Sequence, residues 1–152
     1  MKILVATDGS RGSAAALSFA ARLANNDAGE LIVLTVDPGN GIPPEAASPA
    51  RGKNDPALVR PEARRALDAA AREIKRHHAR AQFQLVTARR RDEIPEAIAR
   101  EADRIKADLV VVGSEGRDTL NEWVVGGVAL RLIYVARRPV TVVRPPRRRK
   151  AV

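Results

Sequence analysis

Short apolar runs alternate along this chain with longer stretches whose apolar residues recur at helical spacing, which is the pattern of a parallel sheet covered by helices on both faces. Lys2 to Thr7 reads as a buried strand that ends in Asp8-Gly9-Ser10. A helix follows from about Ser13, a suitable N-cap, with Ala16, Ala20, Leu23 and Ala24 on one face and an end near Asn25-Asn26 and Gly29. Glu30 to Val36 is the second strand. Asp37 to Asp55 carries Pro38, Pro43, Pro44 and Pro49 with Gly39, Gly41 and Gly52, a composition that sustains neither a helix nor a central strand and predicts a long mobile loop.

A second helix is predicted over Pro61 to Ala79, where Ala63, Ala66, Leu67, Ala70 and Ile74 share a face and Pro61 fits the first turn; Asp55-Pro56 is an equally good start signal. Gln82 to Ala88 reads as a strand, Ile94 to Lys106 as a helix with Pro95 in its first turn, and Leu109 to Val112 as a fully buried strand. Val128, Leu132 and Val135 mark a last helix, and Pro139 to Val143 a last strand. In such an order the ligand site lies at the carboxyl ends of the strands, near the point where the chain reverses its direction of winding.

Length and composition narrow the class. A chain of 152 residues builds one core. Hydrophobic residues make up 45% of it and aromatics only 3%, so Ala, Val, Leu and Ile must fill that core. The absence of cysteine excludes disulfides, thiolate metal sites and a thiol nucleophile. No apolar run approaches the ~20 residues that span a bilayer, and Met1-Lys2 leads straight into Ile3-Leu4-Val5-Ala6 without a separate signal segment. The expectation is a cytoplasmic protein without membrane contact.

The net charge of +9, from 27 basic and 18 acidic residues, attracts polyanions. Its distribution argues against nucleic acid as the partner. Arg144, Arg147, Arg148, Arg149 and Lys150 fall in a tail broken by Pro145 and Pro146, and Arg89, Arg90 and Arg91 fall at a strand end. Phe19, Phe83, Trp123 and Tyr134 are scattered, whereas single-strand binders set stacking rings beside the charge. Residues 1–144 form the expected domain and 145–152 a basic, disordered tail.

Chemistry-bearing residues gather at two strand ends. Ala6-Thr7-Asp8-Gly9-Ser10 leaves the first strand, and there a carboxylate can hold a ribose hydroxyl or a phosphate-bound magnesium ion. Val112-Gly113-Ser114-Glu115-Gly116 leaves the fourth and is followed by Gly126-Gly127-Val128. Glycines there permit close ligand approach or positive φ, and a helix start offers N–H groups to an anion. His77 and His78 end the second helix, where a cation suits the dipole, and lack carboxylates at ligand spacing. Ser10, Ser13 and Ser114 read as caps, Leu120 and Trp123 as packing residues. G-x-S-x-G, GxxxxGK[ST] and GxGxxG are all missing.

The spacing Gly113-x2-Gly116-x9-Gly126 behind Val110-Val111-Val112 resembles the nucleotide-binding signature of the universal stress protein family. From Ile3 to Ser10 at one end and Arg138 to Val143 at the other, nearly the whole chain is similar to that family's layout. The resemblance implies a Rossmann-like fold of the adenine nucleotide alpha hydrolase type: a five-stranded parallel sheet with helices on both faces, strand order 3-2-1-4-5. It also implies a homodimer through the last strand and ATP, with or without magnesium, as a regulatory ligand. By position, Thr7, Asp8, Val36 and Val112 would contact adenine or ribose, Gly113, Gly116, Gly126, Gly127 and Val128 the phosphates, and Asp8 the metal. No catalytic base stands out, so any turnover would be slow magnesium-aided hydrolysis. Two departures weigh on phosphate binding: Gly127 stands where the family's ATP-binding signature has Ser or Thr, and Glu115 where a basic residue is common, with Arg117 nearby to offset it. The alternatives are a dimer of this fold that binds no nucleotide and acts through protein contacts, and a nucleic-acid binder.

Overall fold

The computed structural model describes residues 1–39, 60–116 and 125–147. Among them five strands run β1 (Lys2–Ala6), β2 (Glu30–Asp37), β3 (Gln82–Thr87), β4 (Leu109–Gly113) and β5 (Val140–Val143). Four α-helices connect them: α1 (Arg11–Asn26), α2 (Pro61–Arg76), α3 (Ile94–Arg104), preceded by a 3-10 turn at Arg91–Glu93, and α4 (Gly127–Val135). The strands form one parallel sheet in the order β3-β2-β1-β4-β5, as the resemblance implies. The calls on Asp55-Pro56, on most of the 37–55 loop, on Arg117, Leu120 and Trp123, and on Arg148, Arg149 and Lys150 lie outside the described residues.

Alternation along the central strands assigns the helices to faces. Ile3, Val5, Leu31, Val33 and Val111 point to one side and pack on Ala16, Leu17, Ala20 and Ala24 of α1 and Ala70 and Ile74 of α2. Leu4, Ile32, Leu34, Val110 and Val112 point to the other and pack on Ile98 and Ala102 of α3 and Ala129 and Leu132 of α4. Alanine dominates the helical side of both layers, so the helices lie close on the sheet.

Element ends differ from expectation by one to three residues, and one difference alters the chemistry. Ser10, not Ser13, caps α1: it holds extended φ and ψ, and its hydroxyl accepts from the Ser13 N–H at 3.2 Å. Ser13 lies one turn inside and is buried; its own hydroxyl donates to the Ser10 carbonyl at 3.0 Å and accepts from Thr7 Oγ1 at 3.0 Å. The 10–13 segment holds two serines at capping distance, and the tight turn after β1, with Gly9 at φ 80°, selects the earlier one. His77 also differs from its reading, because its Nε2 lies 3.2 Å from Glu73 Oε1 one turn back. That is one carboxylate, and among the described residues no group of three or more metal-capable side chains converges.

On the α3/α4 side, Arg131 Nε donates to Glu96 Oε1 at 2.9 Å and ties the helix behind the glycine loop to the start of α3. A hydrogen bond from its own backbone N–H at the helix start, then the Arg131 guanidinium, holds the Glu96 carboxyl below the usual carboxylate range. A carboxyl with a depressed folded-state pKa stabilises the fold above its unfolded value, and the contribution disappears as pH falls through the folded one. Glu96→Gln is therefore expected to lower the thermal midpoint slightly at neutral pH and to match the parent below the carboxylate range, which melting curves across pH check.

Candidate nucleotide site at the switch point

The sheet order puts β1 and β4 side by side while their following connections lead away in opposite directions, α1 towards β2 and α4 towards β5. A cavity of about 410 Å³ opens at the carboxyl ends of these strands, within the range of small-molecule sites. Thr7 and Asp8 line it from the turn that follows β1, Val36 from β2, and Val112 and Gly113 from β4. Gly116, Gly126, Gly127 and Val128 line it from the loop and the first turn of α4. All nine residues singled out in the sequence thus border one space.

The glycine segment is held by backbone contacts. Ser114 N donates to Val143 O at 2.8 Å, Gly126 N to Ser114 O at 2.7 Å, and Ser10 Oγ to Glu115 O at 3.3 Å. A side chain on Gly113 would place its Cβ 2.4 Å from the Gly12 carbonyl carbon, and one on Gly12 would place it 2.2 Å from Glu115 O. Glycine is needed at these two positions so that the start of α1 can seat against the end of β4. Positive φ, the other expectation for glycine, is found among the described glycines at Gly9 and Gly39 and not in the 113–127 segment.

Gly126 begins α4 in extended conformation with no side-chain cap, and its carbonyl accepts the first helical bond, from Leu130 N at 3.0 Å. The N–H groups of Gly127, Val128 and Ala129 consequently stand outside the helical ladder at the cavity wall, and the helix dipole adds partial positive charge there. This end is suited to an anion. Asp8 stands beside it: Oδ1 accepts from Ser10 N at 2.9 Å, and Oδ2 lies 3.2 Å from where a Gly116 Cβ would be. Glu115 borders the same end.

The opposite end, beyond β2, is bordered by residues that sequence reasoning missed. Thr35, Pro38, Ala63 and Ala66 form one part of it, and Ile94 and Ile98 another, while Arg60, Glu62 and Arg91 bring charge. Arg60 is positioned by the buried Asp37, whose Oδ2 accepts from Arg60 N at 3.2 Å and whose Oδ1 lies 3.8 Å from Arg60 Nε. Helical spacing put Ala63 and Ala66 on the buried face of α2, where they lie; no local signal says that this face ends at a cavity. At the carboxyl side of the edge strand, Arg11 donates to the carbonyl of Pro146, bringing the start of the basic tail to the first turn of α1.

A parallel α/β sheet with a cavity and a helix start at its switch point defines the class as a doubly wound α/β domain. The chain belongs to the universal stress protein family, whose family model matches residues 1–144. Universal stress protein MJ0531 of Methanocaldococcus jannaschii is 29% identical over 150 residues, covering 97% of this chain and 84% of that one. Among solved structures, a universal stress family protein of Burkholderia pseudomallei is 30% identical, covers 95% of this chain and 96% of its own, and gives a TM-score of 0.65. The universal stress protein of Archaeoglobus fulgidus in complex with dAMP is 26% identical, covers 94% and 97%, and gives a TM-score of 0.66. No helix of the described residues is long and apolar enough to cross a membrane.

Proposed function

We propose that this protein binds an adenine nucleotide, ATP or a shorter relative, as a regulatory ligand in a cytoplasmic stress response and acts as a homodimer. The observation that carries the reading is the cavity that joins the start of α4 to Asp8 and then to the far end, lined by Val36, Ile94 and Ile98 and by Thr35, Ala63 and Ala66. Phosphates fit the first, ribose hydroxyls the second and a base the third. The Archaeoglobus relative in complex with dAMP supports the same ligand class. Were magnesium to accompany the nucleotide, Asp8 is the residue that would offer it a carboxylate oxygen, beside ligands from phosphate and water. With no general base among the proposed contacts, hydrolysis stays slow and the ligand acts by occupancy.

The dimer is supported by the edge at β5. Val140 to Val143 form the last strand of the sheet, and each remains only half-buried. On α4, which packs beside that strand, Leu130, Ile133 and Tyr134 are 49%, 51% and 79% exposed. An apolar edge strand of this kind is a pairing surface. Sedimentation is expected to give twice the 16.4 kDa of one chain; a monomer at all concentrations would sink this part. Calorimetry with ATP and magnesium, and with AMP, is expected to show saturable heat, and none up to millimolar nucleotide would overturn the ligand assignment.

A second reading, a dimer of the same fold that works through protein contacts without nucleotide, is favoured by Glu115 at the phosphate end and by the missing hydroxyl at Gly127. Gly127→Ser, treated below, separates the two.

A further inference from the structure

Four buried side-chain atoms have no hydrogen-bond partner among the described residues: Thr35 Oγ1, Asp37 Oδ1, Gln84 Oε1 and Glu96 Oε2. Thr35 alone of these four residues lines the cavity, and it is only 2% exposed. A buried hydroxyl left unpaired is costly, so such groups in folded proteins are met by a partner. The interior of the cavity is where this one's partner must come from.

Its place along the cavity says which part of a ligand that is. Thr7 N donates to Leu34 O at 2.9 Å, so the register sets Thr35 next to Thr7 on the neighbouring strand. Both share the strand face of Val5 and Val33, on the α1/α2 side. Thr7 Oγ1 is already committed to Ser13 Oγ, whereas Thr35, whose hydroxyl has no partner among the described residues, lines the cavity together with the small side chains Ala63 and Ala66. β2 stands two strand spacings, about 10 Å, from β4. A nucleotide whose phosphate occupies the start of α4 and whose ribose reaches Asp8 therefore brings its base, and not its sugar or phosphate, to the end of β2.

We propose that the Thr35 hydroxyl is a base-contacting group that hydrogen-bonds the polar edge of the bound adenine and adds to the selection of a heteroaromatic ligand. The proposal rests on the nucleotide-binding reading above, and the test separates the two. Calorimetric titration of the full chain with AMP is compared for the parent, Thr35→Val and Thr35→Ser, alongside melting of each without ligand. Thr35→Val keeps the shape and removes the hydroxyl, and is expected to weaken AMP about 3- to 10-fold. Its ligand-free melting temperature is expected to be equal or higher, because an unpaired buried hydroxyl is gone. Thr35→Ser is expected to bind within about twofold of the parent, as one neutral hydrogen bond is retained. If Thr35→Val binds as tightly as the parent, the hydroxyl is served by water alone and this inference falls while nucleotide binding stands. If Thr35→Ser weakens binding and Thr35→Val does not, the methyl group matters, the hydroxyl does not, and this inference falls. A parent chain that binds no AMP overturns both readings.

Discussion

Gly113→Ala is expected to destabilise the ligand-free chain by about 3 kcal/mol, the upper part of the range for overpacking a filled site. In a domain of this size that lowers the melting temperature by roughly 6–12 °C. The added Cβ would meet the Gly12 carbonyl carbon at 2.4 Å, the Gly12 oxygen at 2.5 Å and Ser13 N at 2.8 Å. All three are backbone atoms of the first turn of α1, so no side-chain rotation relieves the clash. Gly12→Ala meets Glu115 O at 2.2 Å from the opposite side of the same contact and should act alike. Alanine gains about 1 kcal/mol over glycine inside a helix, too little to offset the overlap. Gly127→Ala, at the far end of the same segment, is the control: its Cβ would meet nothing within 4 Å, and the expected change lies within about 0.5 kcal/mol. Melting and denaturant unfolding of the three variants check the ranking, and a Gly113→Ala chain as stable as Gly127→Ala would contradict the interlocked backbone.

Gly127→Ser is expected to tighten ATP binding by roughly ten- to a hundredfold, because a hydrogen bond to a charged group contributes about 1.5–3 kcal/mol. The open space around the Gly127 Cβ position admits the serine without distorting α4, and Gly127 already lines the cavity at the helix start. Gly127→Ala should give no such gain, which assigns the effect to the hydroxyl. The readout is calorimetric affinity for ATP with magnesium. An unchanged affinity on Gly127→Ser would favour the nucleotide-free dimer and turn attention to the apolar edge at β5 and α4. The fold tolerates glycine there, and the proposed phosphate site would gain a donor from the added hydroxyl.

Much of the site was legible in the sequence because its chemistry is carried by short segments. The Thr7-Asp8 strand end and the Gly113, Gly116 and Gly126 spacing are local patterns, and the structure brings every residue read from them to one cavity. Placing them at one edge of the sheet does not require knowing why each glycine is there, and part of that reason differs from the expectation. Loop freedom at positive φ was expected along the 113–127 segment, whereas Gly113 is required by the close approach of α1. Gly12 was not singled out at all, since nothing within its own helix asks for glycine. Ser13 was taken for the cap for a related reason: both serines satisfy the local rule, and the turn at Gly9 decides for Ser10.

The sequence by itself determined the element order, the parallel α/β class and the position of the functional edge, because period-2 and period-3.6 patterns and glycine punctuation are encoded over a few residues at a time. Tertiary structure alone decided what meets what across the sheet. It set Arg60 on the buried Asp37, brought Ile94 and Ile98 of α3 and Ala63 of α2 to the far end of the cavity, and left the Thr35 hydroxyl inside it without a partner among the described residues. These pairings join segments tens of residues apart, and no local pattern specifies them. They follow from which helix covers which face, and that is settled only when the whole sheet is assembled.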